Sequence, residues 1–130
     1  MTTRRLLAGL VLFAAGCGSP EPEKGTGTPS GKEGLTDLGV LLKEFGDAKK
    51  RPPAKAADVE PVEPLHQAAY VGLVRGDIVY VWGAPLSGGS DVIAYEKQAE
   101  TAGGWVLLQD GTVKEMTADQ FRAAPRAKKQ

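Results

Sequence analysis

Gly103-Gly-Trp-Val-Leu-Leu-Gln-Asp-Gly-Thr-Val-Lys-Glu-Met116 is a pair of short β-prone runs joined by Asp110-Gly111. Asp-Gly between such runs is a strong hairpin signal, because a two-residue type I′ turn needs positive φ at both central positions. That turn pairs Gln109 with Thr112, Leu108 with Val113, Leu107 with Lys114 and Val106 with Glu115. One face of the hairpin then carries Val106, Leu108 and Val113, and the other Trp105, Leu107 and Met116. Both faces hold apolar side chains. The expectation is a sheet covered by a helix on one side and partly shielded by loops or a partner on the other.

Working outward, residues 77–82 (Asp-Ile-Val-Tyr-Val-Trp) and 91–96 (Asp-Val-Ile-Ala-Tyr-Glu) have the β-branched and aromatic content of two further strands. Leu35, Leu38, Leu41, Leu42 and Phe45 follow the three-and-four spacing of one helical face. Thr36 or Gly34 is the expected cap, Asp37 suits the positive first turn, and Lys49, Lys50 and Arg51 suit the negative end. Pro52-Pro53 stops this helix, since proline disfavours the helical region for the residue before it. Residues 54–59 suggest a short helical turn, and Pro61 and Pro64 an extended stretch. Residues 65–74 read as helix or strand, with the helix preferred because Gly76 makes a good left-handed cap. Thr117-Ala-Asp-Gln120 has the form of a capping box opening a short helix through Phe121. The expected fold class is α+β: an N-terminal amphipathic helix on a small antiparallel sheet of about four strands, pilin-like, with a short C-terminal helix.

Before this domain lie Arg4 and Arg5, an apolar run over residues 6–15, and Ala14-Ala15-Gly16-Cys17. A charged start, a short apolar stretch and small residues make a secretory signal. The apolar run is too short for the roughly 20 residues that cross a bilayer. Cys17 is the only cysteine. Its setting resembles the lipobox of bacterial lipoproteins, with Ala14 at the position the family usually gives to Leu. The resemblance implies a diacylglyceryl thioether on Cys17, cleavage before it and acylation of the new amino terminus. Two or more acyl chains anchor a protein stably where one does not. Gly18 after the cysteine, in place of Asp, resembles lipoproteins passed to an outer membrane.

The expected organisation is a signal peptide over 1–16, lipidated Cys17 and a linker to residue 33, a domain over 34–124, and a basic disordered tail over 125–130. Residues 18–33 contain Gly, Pro, Ser, Thr, Glu and Lys with no large apolar side chain, the composition of a tether. Lys+Arg number 16 and Asp+Glu 16, and losing Arg4 and Arg5 with the signal leaves 14 against 16. No broad basic field faces a phosphate backbone, which argues against a nucleic-acid partner. The exception is the end of the chain, where Arg122, Arg126, Lys128 and Lys129 form a solvated tail or a contact for anionic lipid or another protein.

A search for chemistry returns little. His66 is the only histidine and has no cysteine with which to share zinc, so it reads as a surface or half-buried residue. Ser87 and Ser90 lack a nucleophile elbow. Residues 83–90 (Gly-Ala-Pro-Leu-Ser-Gly-Gly-Ser) miss a phosphate loop by having Gly89 for the lysine and a strand where a helix should follow. Asp58, Glu60 and Glu63 read as a solvated acidic stretch, and Arg75-Gly76-Asp77 as a turn into a strand. No catalytic residue, cofactor or metal ligand is assigned.

The order of landmarks over residues 35–121 resembles the globular part of type II secretion pseudopilins. These landmarks are the helix with its proline break, Trp82-Gly83-Ala84-Pro85 leaving a strand, Ile93-Ala94-Tyr95-Glu96, and the closing hairpin. It resembles still more the related domains that end in a Gly-Gly-x-Val-x-x-x-Asp-Gly-x-Val hairpin. Glu100 stands where those relatives often have His. The resemblance implies a long helix across an antiparallel sheet. It implies no fibre, since pseudopilins polymerise through an apolar N-terminal helix, and this chain has Cys17 and a linker there. Calcium is not carried over, because of the loop acids only Asp110 is near a matching place. The functional expectation is a monomeric, non-catalytic lipoprotein of the bacterial envelope, held to the membrane by Cys17 and acting structurally or on an envelope protein. The alternative is a ligand- or glycan-binding module using Trp82, Tyr95 and Trp105 as stacking surfaces.

Overall fold

The computed structural model describes residues 30–130; the signal, Cys17 and most of the expected linker lie outside them. Helix α1 runs over Gly31–Lys49, opening inside the stretch read as linker. Its cap is Ser30 in place of Thr36 or Gly34. The Ser30 hydroxyl accepts the Glu33 amide at 3.2 Å, and the Ser30 amide donates to the Glu33 carboxylate at 3.1 Å. This capping box satisfies two of the donors that a helix start leaves without partners. At the other end Lys50 adopts a left-handed conformation (φ 61°) and its amide reaches Gly46 O, after which Pro52-Pro53 prevents continuation.

Helix α2, Ala56–Val59, passes into a 3₁₀ turn at Glu60–Val62. The segment with Pro61 and Pro64 is therefore wound, correcting the expected extended stretch; Pro61 sits where a helical start needs no amide donor. Helix α3 is Gln67–Arg75 and ends on Gly76 at φ 82°, as the glycine predicts. Then come β1 Ile78–Tyr80, β2 Val92–Glu96, a 3₁₀ turn at Lys97–Glu100, β3 Gly104–Leu108, β4 Val113–Met116 and α4 Ala118–Ala123. Thr117 and Gln120 form the expected capping box of α4. The strands make an antiparallel meander in the order β1-β2-β3-β4.

The hairpin register differs from the expectation by one residue: Leu107 faces Val113, Val106 faces Lys114 and Trp105 faces Glu115. Only Gly111 has positive φ in the turn, at 92°. The Leu108 amide donates to Thr112 O and the Gly111 amide to Leu108 O. The loop is thus three residues, a type I turn followed by a left-handed glycine, which is the other hairpin that Asp-Gly serves. One added loop residue moves the partner strand's side chains to the opposite faces. Val113 joins Leu107 and Trp105 on the α1 side, and Met116 joins Val106 on the other.

Leu35, Leu38, Leu41, Leu42 and Phe45 of α1 pack with Ile78, Tyr80, Ile93, Ala94 and Leu107 to form the larger core. The opposite face has a core of its own, in which Phe121 of α4 and Ala99 cover Val92, Val106 and Leu108. The chain itself closes that face, where loops or a partner had been expected. Residues 125–130 are docked, which corrects the disordered tail. β1 is only three residues long, leaving the start of β2 without a neighbour on the side away from β3. The tail fills this gap: the Val92 amide donates to Pro125 O, the Ala127 amide to Val92 O and the Gln130 amide to Gly83 O. Ala127 is buried, and the Arg126 guanidinium lies 3.7 Å from the Phe121 ring centroid.

Candidate functional site

The chain's one histidine sits at the seam between α1 and α3. His66 is the N-cap residue of α3, yet its side chain makes no local cap. Its ring points to α1, where Nδ1 lies 2.8 Å from Asp37 Oδ1 and Nε2 lies 2.8 Å from Glu44 Oε2. Asp37 and Glu44 are seven residues apart, two helical turns, so they stand on one stripe of α1 with the imidazole between them. The second Asp37 oxygen accepts the Ala69 amide at 3.0 Å. Ala69 is the third residue of α3, and its amide is one that the helix cannot satisfy internally. A carboxylate of α1 thus does for α3 what a local Ser, Thr, Asn or Asp ordinarily does.

Carboxylates accept and do not donate, so both ring nitrogens must carry protons for both contacts to hold. The geometry is that of an imidazolium. Burial of His66 opposes its charge, but the hydrogen bonds to Asp37 and Glu44, reinforced by their negative charges, outweigh it and raise the pKa above the ordinary histidine value. The reading of His66 as a surface or half-buried residue is corrected: it is 5 % exposed. Its sequence neighbours give no hint of this, because both partners lie more than twenty positions upstream. Chemically the arrangement is a strut. With both nitrogens engaged, the ring has no lone pair for a metal or for abstracting a proton.

Beside the strut, a cleft of about 460 Å³ lies between the end of α1 and the α2 region, with Phe45 and Val62 as apolar walls and Glu44, Arg51 and Asp58 at the rim. Asp58 is held below the usual carboxylate range by the Ala54 amide first and Arg51 second. Arg51 reaches it at 3.2 Å and the amide at 2.9 Å. This explains Asp58 as a loop clasp. Glu60 and Glu63, grouped with it in the sequence, take no part in that clasp. Asp110 accepts the Thr112 amide at 2.8 Å, which lowers its pKa and ties the hairpin turn.

The aromatic side chains expected as possible stacking surfaces are engaged with their own fold. Trp82 meets Tyr80 edge-on at 4.9 Å, and both Trp82 and Trp105 pack against the larger core. Lys32 covers Trp105 at 5.0 Å, and Tyr95 lies 4.6 Å from Phe121. Burial raises the Tyr80 pKa, and its hydroxyl donates to Ala84 O. The cleft beside His66 has no tryptophan in its wall. Ser87 and Ser90 lie in a loop whose Ser87 and Gly88 amides bond to Gln109 O, and neither is among the hydrogen-bond partners of His66. Cys17, the one assigned site, is outside the described residues. Among the described residues, no helix is long and apolar enough to cross a membrane. Compared with protein-family models, curated proteins and solved structures, the chain matches none.

Proposed function

We propose that this chain is a lipoprotein of the bacterial envelope, tethered through Cys17, whose folded part works by contact and performs no catalysis. The observation that carries the non-catalytic reading is the commitment of His66: both nitrogens of the only histidine are consumed in joining two helices. The packing of the half-buried Trp82, Tyr95 and Trp105 against the two cores supports a structural or protein-binding role over one of stacking against sugars. β4 has a neighbour on one side only, and its central residues are Lys114 and Glu115. Charges on an edge strand discourage pairing between copies, which supports a monomer. The succession of a long helix, short helical connections and an antiparallel meander supports reading the domain as pseudopilin-like, with a lipid in place of the apolar segment that builds fibres. Cys17→Ala, followed by fatty-acid labelling and membrane fractionation, tests the tether. Loss of label and release from membranes are expected; unchanged partition would refute it. Crosslinking in intact cells tests the contact role, with an envelope protein expected and captured peptidoglycan fragments counting against it.

A further inference from the structure

The fold joins two basic segments that lie far apart in the sequence. Lys43 and Lys49 lie in the last two turns of α1, Lys50 and Arg51 follow it directly, and Lys128 and Lys129 belong to the docked tail. The Gly83 amide bonds to Pro53 O at 2.8 Å and the Gln130 amide to Gly83 O at 3.0 Å, so backbone contacts fix the tail beside the helix end. A cleft of about 460 Å³ opens between them, with Lys43, Lys50, Arg51 and Gln130 in its wall over Leu42 and Leu86. Lys129 abuts Gly83 directly.

The charges do not cancel at this end. Lys43 pairs with Asp47 and Arg51 with Asp58, each at 3.2 Å. Lys49, Lys50, Lys128 and Lys129 are exposed and form no ion pair among the described residues. Six cations thus stand beside Glu44, Asp47 and Asp58, in a chain whose 16 basic and 16 acidic residues balance. Lys50 is the only non-glycine residue with positive φ among those described, a lysine where glycine is usual.

The kind of cation selects the partner. Recognition of individual carboxylates favours the arginine fork, whereas lysines are compact, hydrated charges that respond to a diffuse potential. The one arginine here is already engaged with Asp58. Resting on the tether reading, we propose that this basic end settles on an anionic lipid surface. The lengths permit it. The 19 residues of α1 span about 28 Å, and the twelve residues 18–29 can reach at most about 43 Å.

The test uses the full acylated chain in phosphatidylcholine vesicles and in vesicles with about one-third phosphatidylglycerol, with lysine accessibility read by an amine reagent and mass spectrometry. Labelling of Lys50, Lys128 and Lys129 should fall about fivefold on the anionic vesicles and recover in high salt. Lys97 and Lys114 should label alike on both. Lys128→Glu with Lys129→Glu should restore Lys50 labelling. Equal labelling on both vesicles overturns the proposal, as does protection that follows an added acidic protein and ignores lipid charge. A chain that fails to stay on phosphatidylcholine refutes the tether alone, and salt-sensitive binding to the anionic vesicles then still decides the basic end.

Discussion

Replacing His66 by alanine removes two charge-assisted hydrogen bonds at the joint of α1 and α3. Such bonds contribute about 1.5–3 kcal/mol each when well desolvated. Asp37, 23 % exposed, falls near that range, but Glu44 is 62 % exposed, and screening reduces its share to about 0.5 kcal/mol. Asp37 keeps the Ala69 amide in the variant, so no buried carboxylate is stranded. The expected loss is about 2–3 kcal/mol at mildly acidic pH. Its pH dependence has a definite sign. The folded pKa of His66 is raised, so the stabilisation is fully present below the unfolded value near 6.5 and is lost as pH rises through the folded value. Between the two, the slope reaches at most about 1.4 kcal/mol per pH unit. Urea denaturation of wild type and His66→Ala from about pH 5.5 to 9 should show the wild type weakening and the variant flat, with the gap between the two curves narrowing toward the alkaline end. Wild-type stability that rises over this range, or an alanine variant that falls in parallel with it, would refute the imidazolium strut.

A Cβ on Gly72 would lie 2.5 Å from Ile78 Cδ1 and 2.9 Å from Cγ1. Overpacking of about 1–3 kcal/mol then outweighs the gain of about 1 kcal/mol in helix propensity, and Gly72→Ala should lower the denaturant midpoint. Ile78→Val removes Cδ1, so the double variant should lose less than the sum of the single losses; strict additivity would show that the two do not collide. Arg126→Ala removes the cation from Phe121 and two hydrogen bonds to carbonyls at Phe121 and Ala124. It should cost about 1–2 kcal/mol and speed hydrogen exchange at the Val92 amide relative to Val106. Unchanged exchange at Val92 would mean that the tail does not hold the sheet.

The elements legible in the sequence are those whose cause is local. The α1 stripe, the left-handed Gly76, the Thr117–Gln120 box and the four strands each carry their signal within a few residues. The hairpin turn was legible but its register was not, because Asp-Gly serves both a two-residue and a three-residue loop, and the φ of Asp110 decides between them. Ser30-Gly-Lys-Glu33 has the form of a capping box, yet it lies inside a polar composition that matches a tether. The tail was misread for a different reason. Its attachments are backbone hydrogen bonds to Val92 and Gly83, which leave no side-chain pattern, while Lys128 and Lys129 signal solvent. The site was least legible of all, since the partners that define His66 lie 22 and 29 positions away.

The carboxylate lent by Asp37 also orders events in time. A helix of nine residues has little stability by itself in water, and the start of α3 depends on a group carried by another element. α3 is therefore a follower: it consolidates once α1 offers both the apolar stripe and Asp37. A chain made from its amino terminus supplies the template first, so the element that must wait is also the one that arrives later.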